Sequence, residues 1–191
     1  MQEKAMDINL LKIENAILFF IEKNGGSIDK MKLMKLLWLS DRLHLSKYGR
    51  LILKDRYYAM PYGPVPSTAF DICKRRKEDY IIIKGNNIES ERKCDQNFFS
   101  KSDLKIMNSI WEKFKNISSL DFSNYSHKYP EWLRFEKYLN DKNAPKSYDI
   151  VIQDFFEFPD LSEFSDLLTE EDIALSKKEF NVNNSIQNFL K

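Results

Sequence analysis

Two histidines, two cysteines and many carboxylates are the side chains through which this chain could do covalent or acid–base chemistry. His44 follows Asp41 by three residues, a spacing that puts both on one face of a helix. With Cys73 they would assemble, on paper, a thiol nucleophile, a base and an orienting acid. No spacing rule supports that triad, and hydrogen bonds made locally or to buried backbone at a helix end account for Asp41 and His44 better. The second histidine, His127, lies two residues after Tyr125 and marks no motif. Cys73 and Cys94 form no CxxC pair and have no histidine at zinc-ligand spacing. They read as two reduced thiols, with neither a metal site nor a disulfide scaffold. No pair of acids stands in an apolar surround that would separate its pKa values. There is no GxxxxGK[ST] or GxGxxG sequence, and five glycines leave little material for a phosphate cradle. The expectation is a protein that is not an enzyme and that holds no cofactor or metal.

Nucleic-acid binding is the next class. Thirty basic and twenty-nine acidic residues nearly cancel, so the whole molecule has no field that would draw it onto DNA or an anionic membrane. The local exception is Lys74, Arg75, Arg76 and Lys77 in "CKRRKEDY", which could contact phosphates or an acidic protein. Four cations in the last turns of a helix also complement its dipole, so a solvated helix end explains them too.

These residues need a frame. A length of 191 residues with 42% hydrophobic residues suits one well-buried core plus an extension. Leu10, Ile13, Ile17, Phe20 and Ile21 form an apolar helical stripe that Asp7 can cap and Gly25 can end. Asp29 caps a second helix running to Gly49, with Ile28 placed to staple onto Leu33. That helix is apolar on so many sides that it must be central. "YIIIKGNNIESE" reads as a hairpin about Gly85-Asn86-Asn87, to which an Arg56–Met60 strand would add. Ser100 with Asp103 opens a further helix, Ser118 or Ser119 another, and Pro130 a last one through Trp132 and Phe135. The fold class expected is mainly α: a compact multi-helix domain around a central helix, with a small two- or three-stranded antiparallel sheet.

The stretch "DRYYAMPYGPVPSTAFDI", Asp55–Ile72, reads as a strand, a rigid turn whose prolines forbid any further ladder, and a helix body from Ser67 to Lys77. Its rings and prolines restrict the chain before a partner arrives, so Tyr57, Tyr58, Tyr62, Pro64 and Pro66 are candidate partner-binding residues. The competing reading puts these rings in the core, since strand alternation sends Tyr57 and Tyr58 to opposite faces.

Residues 1–140 form the expected domain. Residues 141–191 form an acidic, aromatic extension, without lysine or arginine between Ser147 and Ser176. Thr169 with Asp172 signals a helix there, expected to dock on basic residues such as Arg42, Lys47, Arg50 and Lys54, or else to wrap a basic partner. The start "MQEKAMDINLLK" lacks a signal-peptide core and no apolar run reaches membrane-span length, so a soluble, cytoplasmic protein is expected.

The ordered series from Lys32 to Ile72, followed by "LDFSNYSHKYPEWLRF", Leu120–Phe135, resembles the Panacea domain of SocA-like antitoxins from bacterial and phage toxin–antitoxin pairs. The resemblance rests on Lys35-Leu36-Leu37, Asp41, His44-Leu45, Tyr48-Gly49-Arg50, Asp55 with Tyr57, Tyr62-Gly63-Pro64-Val65, Ser126-His127 and Trp132. It spans roughly Ile8–Leu139, with looser similarity at Asp154–Asp160. It implies an antitoxin that blocks a toxin encoded nearby, with some relatives handing the toxin to a protease, and it leaves the toxin and the oligomeric state open. Trp38 stands where Tyr or Phe is usual, and the core motif does not foresee the acidic extension. A DNA-binding regulator of its own operon, using Lys74–Lys77, is the alternative.

Overall fold

The computed structural model describes residues 7–74 and 80–189. Asp7 accepts the Asn9 N–H at 2.9 Å and starts α1 (Ile8–Lys23), whose Ile13, Ile17, Phe20 and Ile21 are buried. A short strand β1 (Ser27–Asp29) leads into α2 (Lys30–Tyr48). Asp29 caps α2 through the Lys32 N–H at 3.0 Å, and the left-handed Gly49 ends it. Every residue of α2 from Lys32 to Ser46 is buried, because α1, α4 (Lys101–Phe114), α5 (Ser119–Ser126) and α8 (Glu170–Phe189) all pack against it. The all-round apolarity of its sequence has this cause. Among the described residues no helix is long and apolar enough to cross a membrane.

The fold is mainly α with minor antiparallel β, as expected, but the strands are distributed differently. The hairpin β4 (Ile82–Lys84) and β5 (Asn87–Glu89) takes β1 as its third strand, in the order β1-β5-β4. The strand β2 (Tyr57–Met60) does not join it. It pairs with β3 (Gly63–Pro66) and β6 (Tyr148–Asp149) in a second sheet, ordered β3-β2-β6. The prolines therefore do not end the ladder. Pro64 and Pro66 are two apart on an edge strand, so their missing N–H groups face away from β2, and the Ser67 N–H resumes the pairing on the Arg56 carbonyl at 2.8 Å.

Two helix extents also differ. The helix after β3, α3 (Ser67–Ile72), stops well before Lys77. Its N-terminus has no cap from Pro66; Asp55 supplies one, with Oδ1 accepting the Thr68 N–H at 3.0 Å and Oδ2 the Ala69 N–H at 3.1 Å. The helix expected from Pro130 through Phe135 is two pieces, α6 (Pro130–Leu133) and α7 (Glu136–Asn140). The break falls where Phe135 stacks flat on Tyr148, ring centroids 5.1 Å apart. The Ser100–Asp103 capping box, the Ser118 cap and the Thr169–Asp172 pair form as read.

Two buried ionic centres join distant parts of the chain. Asp103 accepts from Lys12 at 2.7 Å, Arg50 at 2.7 Å and the Ser100 N–H at 3.1 Å, and lies 3.1 Å from His44 Nε2. Burial alone would raise its pKa, but these donors hold its carboxyl far below the usual range. Arg42 on α2 is wholly buried and spends all three guanidinium nitrogens. Nε meets Glu131 at 3.1 Å, Nη1 the Phe155 carbonyl at 2.6 Å, and Nη2 the carbonyls of Asp154 at 3.2 Å and Glu157. The rings of Tyr129 and Phe158 lie over it at 4.4 and 4.3 Å. The extension is thus held on α2 by carbonyls more than by its acids; Lys47 with Asp172, at 3.0 Å, is the charge pair. Arg50 is committed to Asp103 instead.

Burial pushes the Glu131 carboxyl upward and the Arg42 guanidinium downward, each drawn back by the other's charge. Glu131→Gln leaves a buried guanidinium without its counter-ion and is expected to destabilise the fold by about 3–5 kcal/mol, read from urea unfolding.

Candidate functional site

Part of the set that carried the family resemblance, Lys35, Tyr62-Gly63-Pro64, Ser126-His127 and Trp132, converges on one turn. Pro61-Tyr62 joins β2 to β3, and its backbone carbonyls are gripped by side chains from three helices and one helix end. Trp132 Nε1 on α6 donates to the Met60 carbonyl at 2.8 Å. Ser123 Oγ on α5 donates to the Tyr62 carbonyl at 2.9 Å. Lys35 Nζ on α2 donates to the Pro64 carbonyl at 2.7 Å. His127, which closes α5, gives a ring N–H to the Pro61 carbonyl while stacking on Trp132, ring centroids 3.7 Å apart. Gly63 has φ +101°, and a Cβ there would overlap Ser126 Oγ and come within 2.8 Å of Lys35 Cε. Only glycine allows the turn to sit so close to α2 and α5.

The electrostatics of this knot are set by dryness. Lys35 is fully buried with no carboxylate in reach among the described residues, and burial pulls its pKa down to about 7. Burial, then the nearby Lys35, also lowers His127, whose Nε2 is buried without a partner among the described residues. Further along α2, Asp41 accepts the Ile52 and Leu53 N–H groups at 2.6 and 3.0 Å and the Tyr57 hydroxyl at 2.8 Å. Burial outweighs those bonds and raises its carboxyl to about 6. Outside the turn lies a cleft of about 660 Å³, floored by Met31, Met34 and Lys35 of α2 and walled by Met60, Tyr62 and Phe70.

The partner-binding candidates separate by face. Tyr57 is 2% exposed, its ring edge-on to Phe155, and Pro64 and Pro66 are buried, so these three build the core beneath the turn. Tyr58 is half-buried under the Arg56 guanidinium, and Tyr62, 66% exposed, stands at the mouth of the cleft. Of the basic run, Lys74 follows the end of α3 and lies 3.9 Å above the Phe70 ring; Arg75, Arg76 and Lys77 fall outside the described residues.

The catalytic triad does not assemble. The ring nitrogens of His44 meet the Arg50 carbonyl at 2.8 Å and Ser102 Oγ at 3.1 Å, the hydrogen bonding at a helix end that the sequence suggested. Burial pushes the thiols of Cys73 and Cys94 up to about 12, which holds them protonated. Among the described residues no three His, Cys, Asp or Glu side chains converge as metal ligands would. Sequence reading missed Met31 and Met60 as walls of one cleft and Ser123 as a brace of the turn, because nothing local links α2, the turn and α5.

A family model described as "Antitoxin SocA-like, Panacea domain" matches residues 33–133. No curated protein and no solved structure matches the chain.

Two outcomes follow from the knot. Gly63→Ala imposes both an unfavourable φ and a steric overlap, and a loss of about 3 kcal/mol or more is expected in thermal or urea unfolding. Lys35 has a folded pKa below its unfolded value. The unfolded chain therefore takes up a proton that the folded chain refuses between pH 10.5 and about 7, and stability falls as pH drops through that window. Relative to Lys35→Met, which lacks the group, the natural chain is expected to gain stability from pH 7 to 9.5, by at most roughly 1.4 kcal/mol per pH unit.

Proposed function

The chain belongs to the SocA-like antitoxin family with a Panacea domain, and from that premise we propose that it neutralises a cognate toxin protein by direct binding, catalysing nothing itself. The observation that carries this reading is the braced turn, with Tyr62 exposed beside an apolar cleft. A turn whose carbonyls are already held loses little conformational entropy when a partner lands on it. Tyr62 offers a large ring with few rotatable bonds and a polar tip, the kind of residue on which interface energy concentrates. Met31, Met34 and Met60 supply polarisable, adaptable walls, which suits a surface that receives a protein partner.

The test is co-expression with the small protein encoded beside it. The expected result is rescued growth and a complex that co-purifies, with Tyr62→Ala weakening that complex roughly tenfold at an unchanged unfolding midpoint. A neighbour that is harmless alone, or that never associates with the chain, sinks the reading. Disappearance of the toxin protein itself from rescued cells identifies delivery to a protease as the mode of neutralisation.

A further inference from the structure

The cleft beside the braced turn is lined by more than apolar walls. Lys35 lies at its floor, Lys30 and Lys146 at its edge. The one carboxylate in the lining, Asp29, is committed to the cap of α2. Among the described residues no carboxylate lies within ion-pair distance of Lys30, Lys35 or Lys146. Among the described residues the Lys35 ammonium has a single acceptor, the Pro64 carbonyl, and Lys146 meets only the carbonyls of Leu139 and Asp141. Lys35 is buried and held by a carbonyl alone, an unfavourable place for a cation, and an anion entering the cleft relieves that cost. The thioether and aromatic walls at the same time select against a fully hydrated anion.

We infer that the cleft receives an acidic side chain carried between large apolar residues on the partner polypeptide, its carboxylate seated toward Lys35 and flanked by Lys30 and Lys146. The inference rests on the reading that the partner is a protein, and it names the chemistry of the segment that docks. Shape and charge share the work: the apolar neighbours fill the space between Met31, Met60 and Phe70, and the carboxylate sets the register. Lys146 comes from the connector that precedes β6, so the extension contributes to the same recognition site as α2. Burial pulls Lys35 toward neutrality in the empty cleft, and an incoming carboxylate draws a proton back onto it.

The probe is the peptide acetyl-Phe-Asp-Leu-Phe-amide with its Asn counterpart as a neutral control, titrated into the full chain carrying ¹³C-methyl methionine. The Asp peptide is expected to bind roughly tenfold more tightly than the Asn peptide and to move the Met31, Met34 and Met60 methyl signals. At pH 8 its heat of binding should depend on the buffer's ionisation enthalpy, as proton uptake requires. Lys30→Glu with Lys146→Glu, both on the cleft's edge, should abolish the Asp preference with circular dichroism unchanged. Equal binding of the two peptides, or methyl signals that stay put, overturns the inference. So does sedimentation showing that a second copy of the chain covers these methyls. The toxin encoded nearby separates the two proposals. If it binds the natural chain and the Lys30→Glu/Lys146→Glu variant alike, the cleft inference fails and the antitoxin reading stands. If it binds neither while the Asp peptide keeps its preference, the antitoxin reading fails and the cleft inference stands.

Discussion

Backbone carbonyls on one turn, held by side chains that arrive from α2, α5 and α6, are the constraint around which this molecule is arranged. Lys35, Ser123, His127 and Trp132 reach the carbonyls of residues 64, 62, 61 and 60, and Gly63 lets the chain come close enough for all four to succeed. Lys35 belongs to α2 itself, α5 packs against α2, and α6 is tied to it through Glu131, which accepts from Trp38 and Arg42. The turn is therefore not a loop that happens to be ordered but the product of the helical core beneath it. The Met-walled cleft follows, since its floor is the first turns of α2 and its wall is the turn itself.

The second organising contact is the Arg42 guanidinium. It faces Glu131, the aromatic rings of Tyr129 and Phe158, and three carbonyls of the extension. Removing two charges from water is costly, and packed hydrocarbons of equal volume would often be at least as stable. What the ionic arrangement adds is direction: a planar fork accepts one geometry of partners, where an apolar contact accepts many. The same holds at Asp103, which ties α1, α2 and the start of α4 to a single point.

How much of this was legible depended on whether the signal was local. Caps at Asp7, Asp29, Ser100, Ser118 and Thr169 act within a turn of their own position, so the helices they open could be read directly. The centrality of α2 was legible too, because neighbours on every side leave apolar residues on every side. Strand partners were not. Strand β1 is three residues long, and the choice of β3 over the 82–89 hairpin for β2 depends on which N–H groups the alternating prolines remove. Nothing local marks Glu131 in the sequence, and only the fold reveals that Trp38 and Arg42 meet it from 93 and 89 residues away. The candidate surface was half legible: alternation warned that Tyr57 and Tyr58 would part company, yet nothing local told that Tyr62 would be the ring left in solvent.

The reach of Arg42 has a bearing on biosynthesis. Its acceptors at Asp154 and Phe155 lie 112 and 113 residues downstream, so a ribosome must add more than a hundred residues after Arg42 before the guanidinium can find them. Until that segment emerges, the nascent central helix carries a cation that its neighbours cannot fully satisfy, and contacts of such long range close late. Completion of the central helix's polar contacts therefore waits on synthesis of the segment that carries Asp154 and Phe155.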